Sequence, residues 1–180
     1  MKYEKLKNKK NSTILVNQNG LDYYLEATAE DKQVGFCKFN IAIYYTKQLG
    51  EDYRKKASER KQVSIDQIPT EKDFKVANPK NCIIKNKSVV LPNGKEYPIS
   101  YKTCELQQIE ILDEKYFNVG LGSIMLKLME EIALKENCEK IEAIFVPNGK
   151  FSHAALGFYK RNKFKFIQEN SSMICLEKEL

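Results

Sequence analysis

Apolar positions along this chain recur first at a spacing of two and later at a spacing of three to four, and that change of period divides it. Ser12 to Val16 reads as a short strand, Asn19-Gly20 as a tight hairpin turn that accepts positive φ, and Leu21 to Thr28 as the returning strand. After the polar turn Glu30-Asp31-Lys32, Cys37, Phe39, Ile41 and Ile43 fall on one side of the chain and Phe36, Lys38 and Asn40 on the other. That alternation predicts a long antiparallel strand over 34–43. Gln48 to Gln62 is rich in Lys, Glu and Arg and reads as a short exposed helix or a loop. Val89-Val90-Leu91 and Tyr97-Pro98-Ile99 flank Pro92-Asn93-Gly94-Lys95 as a hairpin. Thr103 to Leu112 is the next sheet strand. Its Gln107, Gln108 and Glu110 interrupt the apolar alternation, which signals a site, a bulge or solvent on one face.

The period then switches. Leu121, Ile124, Met125, Leu128, Met129 and Ile132 recur as one face of an amphipathic helix. Lys140 to Val146 is a strand ended by Pro147-Asn148-Gly149, Ser152 to Arg161 a second helix, and Phe164 to Gln168 and Met173 to Glu177 two closing strands. The second half therefore runs β-loop-α-β-α-β-β, with a helix crossover between the strands at about 104–112 and 140–146.

Composition narrows the classes. A chain of 180 residues, 42% hydrophobic and 30% charged, has the make-up of one folded domain. No apolar run reaches the roughly 18 residues of a membrane span, and the lysine-rich start is not a secretory signal, so the expected address is the cytoplasm. The five cysteines, Cys37, Cys82, Cys104, Cys138 and Cys175, lack the paired spacing of a zinc or redox motif and read as reduced packing residues. One histidine, His153, excludes sites that need several imidazoles, and no metal site is expected. The net charge of +6 is uneven. Residues 47–103 hold 13 basic and 7 acidic groups together with four of the five prolines, and read as an insertion within a single domain spanning 1–180.

Gly120-Leu121-Gly122-Ser123 lies between a strand and a helix. A first helical turn leaves four N–H groups unpaired and carries about half a positive charge, and glycine lets an anion approach them. The pattern is neither a P-loop nor a Rossmann turn, which would need a glycine at Met125. The stretch Glu114 to Ser123 resembles motif A of the GNAT superfamily of N-acetyltransferases, Q/R-x-x-G-x-G/A, with Phe117 in place of Gln or Arg. Ser152 to Phe164 resembles the family's motif B, N-x-x-A-x-x-F/L-Y-x-x-x-G-F: Ala155, Phe158, Tyr159 and Phe164 match, while Ser152 and Lys163 replace Asn and Gly. The resemblance is good over 104–180, fair over 12–43 and absent over 47–103. The helices that usually follow the family's first strand are not evident.

This resemblance implies an α/β (α+β) fold with a mixed, mostly antiparallel twisted sheet flanked by helices. It implies direct transfer of acetyl from acetyl-CoA to a primary amine of a small molecule, peptide or protein, through a tetrahedral intermediate. The coenzyme contacts it implies are Ile111, Leu112, Phe117, Asn118, Val119, Gly120, Leu121, Gly122, Ser123, Asn148, Ser152, Ala155, Phe158 and Tyr159. A backbone N–H near Ile111 or Leu112 would polarise the thioester carbonyl. Tyr159 would protonate the leaving thiolate, and Glu110 is the first candidate for the base. Two alternatives stand beside this reading: a silent acyl-CoA-binding domain of the same fold, and a basic nucleic-acid-binding protein, which no motif supports. A homodimer is an open assembly; a membrane partner is not expected.

Overall fold

A computed structural model describes residues 12–46, 55–56, 58–62, 64, 73–76, 78–85, 87–147, 152–169 and 172–180. Its strands are β1 (Thr13–Asn19), β2 (Asp22–Ala29), β3 (Lys32–Thr46), β4 (Asp73–Lys75), β5 (Ile83–Ile84), β6 (Ser88–Val90), β7 (Glu96–Ile111), β8 (Lys140–Phe145), β9 (Lys165–Glu169) and β10 (Ile174–Glu179). Helix α1 spans Leu121–Lys135 and α2 spans Ser152–Arg161. The chain divides into two compact units, Met1–Ile41 with Thr103–Leu180, and Ala42–Lys102. No helix among the described residues is long and apolar enough to cross a membrane.

The first unit carries the strand order β1-β2-β3-β7-β8-β10-β9. β7 and β8 are parallel over Thr103–Leu106 and Lys140–Ala143, whereas β1–β2, β2–β3, β8–β10 and β10–β9 are antiparallel. Right-handed crossovers from β7 to β8 and from β8 to β9 advance in the same direction along the sheet. They therefore bring α1 and α2 onto one face, here called the inner face. Both helices bury apolar sides in one core with Cys37, Phe39, Cys104, Leu106, Ile141 and Ala143. Phe39 stacks on Tyr23 with ring centroids 5.0 Å apart, and the Tyr23 hydroxyl donates to Glu136 Oε1 at 2.7 Å, tying β2 to the end of α1.

The first hairpin turns one residue later than the sequence suggests. Asn19 pairs with Asp22, so the two-residue loop is Gly20-Leu21; only Gly20 has positive φ (63°), as a type II′ turn requires. The second turn uses Glu30 and Asp31 at φ 50° and 60°, a type I′ shape without glycine. On β3, Cys37, Phe39, Ile41 and Ile43 are buried as the alternation predicts.

The second unit pairs the end of β3 with β4 and folds β5, β6 and the start of β7 into antiparallel hairpins. Within it, Tyr44 stacks on Tyr101 and Tyr45 on Tyr97. The hairpin arm at 97–99 and the strand at 103–112, separate in the sequence reading, form one strand, β7. Of the stretch 48–62, residues 55–56 and 58–61 are helical and the remaining helix-or-loop expectation falls largely outside the described residues.

Both helices end in the same way. At α1, Cys138 N–H bonds to Ala133 C=O at 2.9 Å and Asn137 N–H to Leu134 C=O at 3.0 Å; at α2, Phe164 N–H bonds to Tyr159 C=O at 3.1 Å and Lys163 N–H to Lys160 C=O at 3.0 Å. These are Schellman motifs, which place the residue after the cap in the left-handed region. Asn137 (φ 60°) and Lys163 (φ 66°) occupy it. The departure of Lys163 from the motif B glycine thus falls at the one position of that turn where glycine is unstrained. Lys163→Gly is expected to stabilise the fold by about 1 kcal/mol, a rise in Tm of about 2–4 °C by calorimetry.

Burial pushes the Cys37 thiol from 9.0 up to about 12. The folded chain therefore keeps a proton that the unfolded chain releases at ordinary thiol pH. That contribution is intact below pH 9 and is lost as pH rises from about 9 to about 12. Urea midpoints should fall across that interval, and less steeply in Cys37→Ala.

Candidate functional site

The connection from β7 to α1 is built to leave backbone N–H groups exposed. Asp113 Oδ1 accepts from Lys115 N–H at 2.9 Å and starts a short 3₁₀ turn, Glu114–Tyr116. Phe117 N–H closes that turn on Glu114 C=O at 3.0 Å, so Phe117 has no N–H to give a ligand. The chain then passes Asn118 (φ 57°), Val119 and Gly120 (φ 89°). The first intrahelical bond of α1 runs from Ile124 N–H to Gly120 C=O at 3.0 Å, and no side chain caps the helix. The N–H groups of Gly120, Leu121, Gly122 and Ser123 precede it and have no partner within the helix, as is general at helix N-termini.

The two glycines have different reasons. A Cβ at Gly120 would meet nothing within 4 Å, so that position is required by its backbone conformation and stands open to a ligand. A Cβ at Gly122 would lie 3.2 Å from Phe158 Cε2. Gly122 therefore lets α2 approach α1. Asn162 reinforces this contact, donating from Nδ2 to Phe158 C=O at 2.9 Å and to Ser123 Oγ at 3.3 Å. The Leu121 side chain is buried in the core.

On α2, Tyr159 is 8% exposed and packs among the rings of Phe158 (5.4 Å), Phe164 (5.3 Å) and Phe145 of β8 (6.1 Å). Burial, and then the nearby Cys37, push its hydroxyl up to about 12. That hydroxyl has no hydrogen-bond partner among the described residues. Ala155 is half-buried and His153 exposed at the helix start. Asn148 and the Ser152 side chain lie outside the described residues.

A divergence in the sheet lies next to this helix pair. The β7–β8 ladder ends at Leu106 and Ala143, yet β7 continues to Ile111 and β8 to Phe145. Leu112 N–H is bonded to Val34 C=O at 2.9 Å, and the Glu110 carbonyl lies against Gly35, so both face β3. Leu112, expected as a donor to the thioester, has its N–H committed to that bond. By the alternation of a strand, the N–H and C=O groups of Ile109 and Ile111 point the other way, towards β8. No described residue pairs with β7 on that side there.

The outer face of the sheet is polar at this point. Cys104 and Leu106 face the core, then Ile109 and Ile111 do, so the alternation slips by one at Gln107-Gln108. That slip is the signature of a bulge, and it turns both glutamines outward. Gln107 Nε2 donates to Asn40 Oδ1 at 2.7 Å, Asn40 Nδ2 to Glu105 Oε2 at 3.2 Å, and Gln108 Nε2 to Glu110 Oε2 at 3.1 Å. Glu110 is exposed. A depression of about 270 Å³ adjoins Gln107, with Asn17, Asp22, Tyr24 and Lys38 in its lining. Among the described residues no group of three His, Cys, Asp or Glu is placed to hold a metal ion.

No protein-family model matches the sequence, and no curated protein does. Solved structures match the fold. Arabidopsis thaliana NAA60 in complex with acetyl-CoA is similar at 10% identity, with 90% of this chain and 78% of that one covered and a TM-score of 0.52. The GNAT domain of S. lividans PAT is similar at 9% identity, covering 91% and 64%, with a TM-score of 0.50. The paiA N-acetyltransferase from Thermoplasma acidophilum, in complex with coenzyme A, is 16% identical with a TM-score of 0.49; the chain aligns over 89% of its own length and spans 62% of that protein.

The chain has the GNAT fold. Of the residues expected from the GNAT motifs, the structure brings together Gly120 to Ser123, Phe158 and Tyr159, with Ile111 on the adjoining strand edge and Glu110 on the outer face. Sequence reasoning missed Ile109, whose backbone shares that edge, and Phe145, which completes the ring cage around Tyr159. The slipped alternation at 106–109 was the available signal for the first; nothing local marks the second.

The two glycines give separable predictions in chemical denaturation. Gly120→Ala should lose about 1–2 kcal/mol through backbone strain alone. Gly122→Leu should lose about 1–3 kcal/mol through overpacking, relieved when Phe158 is shortened to Leu in the same chain.

Proposed function

We propose that this GNAT-fold chain is an acetyl-CoA-dependent N-acetyltransferase acting on a primary amine. The observation that carries the reading is the opening between β7 and β8, lined by unpaired backbone groups and placed beside an uncapped helix N-terminus. A ligand with phosphates at one end and an amide-bearing arm satisfies both: the N–H groups of Gly120 to Ser123 take the phosphates, and the Ile109 and Ile111 backbone pairs with the arm as a missing strand would. Acetyl-CoA has that constitution, and its thioester supplies the acetyl group.

In the transfer, the amine nitrogen bonds to the acetyl carbon, the carbon–sulfur bond breaks, and the sulfur departs with the electron pair. The N–H groups of Ile109 and Ile111 are the donors available to polarise the carbonyl, Leu112 being committed to β3. Glu110, on the outer face, takes the amine proton directly or through water. In this reading Tyr159 would serve the leaving sulfur as a hydrogen-bond donor. With its hydroxyl near 12 and an ordinary thiol near 8.5, full proton transfer from Tyr159 would be uphill by about 5 kcal/mol. It therefore stabilises the departing thiolate by donation, and solvent completes protonation.

Calorimetry with acetyl-CoA tests the reading first: saturable binding is expected, and no heat and no thermal shift at millimolar ligand would sink it. A thiol-release assay with amines then separates turnover from silent binding. Tyr159→Phe should lower kcat about 10- to 100-fold with the coenzyme Kd within about twofold. The neutral donor persists at every pH below about 12, so kcat should show no alkaline fall from Tyr159 up to pH 10; a loss between pH 8 and 9 that Tyr159→Phe abolishes would contradict the burial argument.

A further inference from the structure

The acetyl group would be delivered to the outer face of the sheet. Both helices and the anion site at Gly120 lie on the inner face, and the opening between β7 and β8 leads from there through the sheet. What surrounds its outer mouth then selects the acceptor.

The two sides of that mouth differ in kind. The position after the last β7–β8 pair sets Gln107 against Ile144. On the β7 side stand Gln107, Gln108 and Glu110, with the depression that adjoins Gln107 beyond them. On the β8 side, Ile141 and Ala143 are buried inward, so Ile144 points outward, 65% exposed. Ile144 pairs with Cys175 of β10, which alternates with the buried Ile174 and Leu176 and so also faces outward. Cys175 pairs in turn with Gln168 of β9, and the register shift there leaves Ile167 as the extra residue, 59% exposed. Ile144, Cys175 and Ile167 make an apolar strip across three neighbouring strands that begins at the mouth. Glu142, two residues before Ile144, adds a carboxylate on the same face, although Lys140 Nζ already holds it at 2.9 Å.

We propose that the acceptor is an amine bearing an apolar group close to its nitrogen: the ammonium form is drawn to Glu110 while the apolar group lies on Ile144. The exposed Glu110 carboxylate on one side of the mouth and the exposed Ile144 on the other point to such an amphipathic acceptor, rather than to a polyamine or a sugar amine. The inference rests on the acetyltransferase reading, and the test keeps the two apart.

Thiol release from acetyl-CoA is measured with amino-acid amides matched in amine basicity, leucine and methionine amide against serine and glutamine amide, and coenzyme affinity is measured on the same samples. The apolar pair should exceed the polar pair in kcat/KM by about tenfold. Ile144→Ser should cut kcat/KM for leucine amide several-fold through KM, leave serine amide within about twofold, and leave coenzyme affinity unchanged. Intact coenzyme binding with equal use of both pairs, with preference for the polar pair, with no turnover of leucine or methionine amide, or with insensitivity to Ile144→Ser would overturn the proposal. Loss of coenzyme binding in the unmodified chain would instead overturn the acetyltransferase reading on which it rests.

Discussion

A parallel strand pair that stops pairing inside a sheet is the constraint on which the rest of this structure turns. Backbone N–H and C=O groups are obligatory hydrogen-bonding groups, and leaving them unmet away from water costs as much as a lost hydrogen bond. β7 and β8 part after Leu106 and Ala143, yet each is held on its far side, β7 by Val34 of β3 and β8 by β10. Neither strand can move to close the gap without breaking a ladder. The opening is therefore a fixed feature of the fold, and the groups of Ile109 and Ile111 wait for water or for a ligand that resembles a strand.

The neighbouring elements follow from that opening. The slip at Gln107-Gln108 puts two polar side chains outward where β7 leaves β8, while Ile109 and Ile111 return to the core. Helix α1 starts at the end of the same strand with four N–H groups uncapped, and Gly122 admits Phe158 so that α2 stands beside it. Tyr159 is then enclosed by Phe145, Phe158 and Phe164, and burial keeps its hydroxyl neutral. The uncapped helix start, the slot and the buried hydroxyl are separate solutions to separate local problems, brought together by two right-handed crossovers.

Much of this was legible in the sequence because it is written in local rules. The i, i+3, i+4 pattern of Leu121 to Ile132, the alternation of Cys37 to Ile43 and the glycine-bearing turn before α1 each specify an element, and the motif spacing joined them to a fold. Bounds failed where a choice depended on partners: the hairpin loop moved to Gly20-Leu21 because Asn19 pairs with Asp22, and β7 runs unbroken because Ser100 to Lys102 are strand in context. The role of Gly122 was hidden because a missing side chain looks the same whether it admits phosphate or Phe158. The choice between Ile111 and Leu112 as donor stayed open in the sequence because the direction of an N–H is set by register with β3, which no single segment records. The basic excess falls within the second unit, 42–102.

Amide hydrogen exchange at Ile109 and Ile111, followed by NMR with and without acetyl-CoA, tests the central claim most directly. Both amides should exchange rapidly in the free protein, in contrast to Glu110 and Leu112, and become protected on saturation with the coenzyme. Protection of Ile109 and Ile111 in the free protein, or exchange unchanged by saturating acetyl-CoA, would contradict the account.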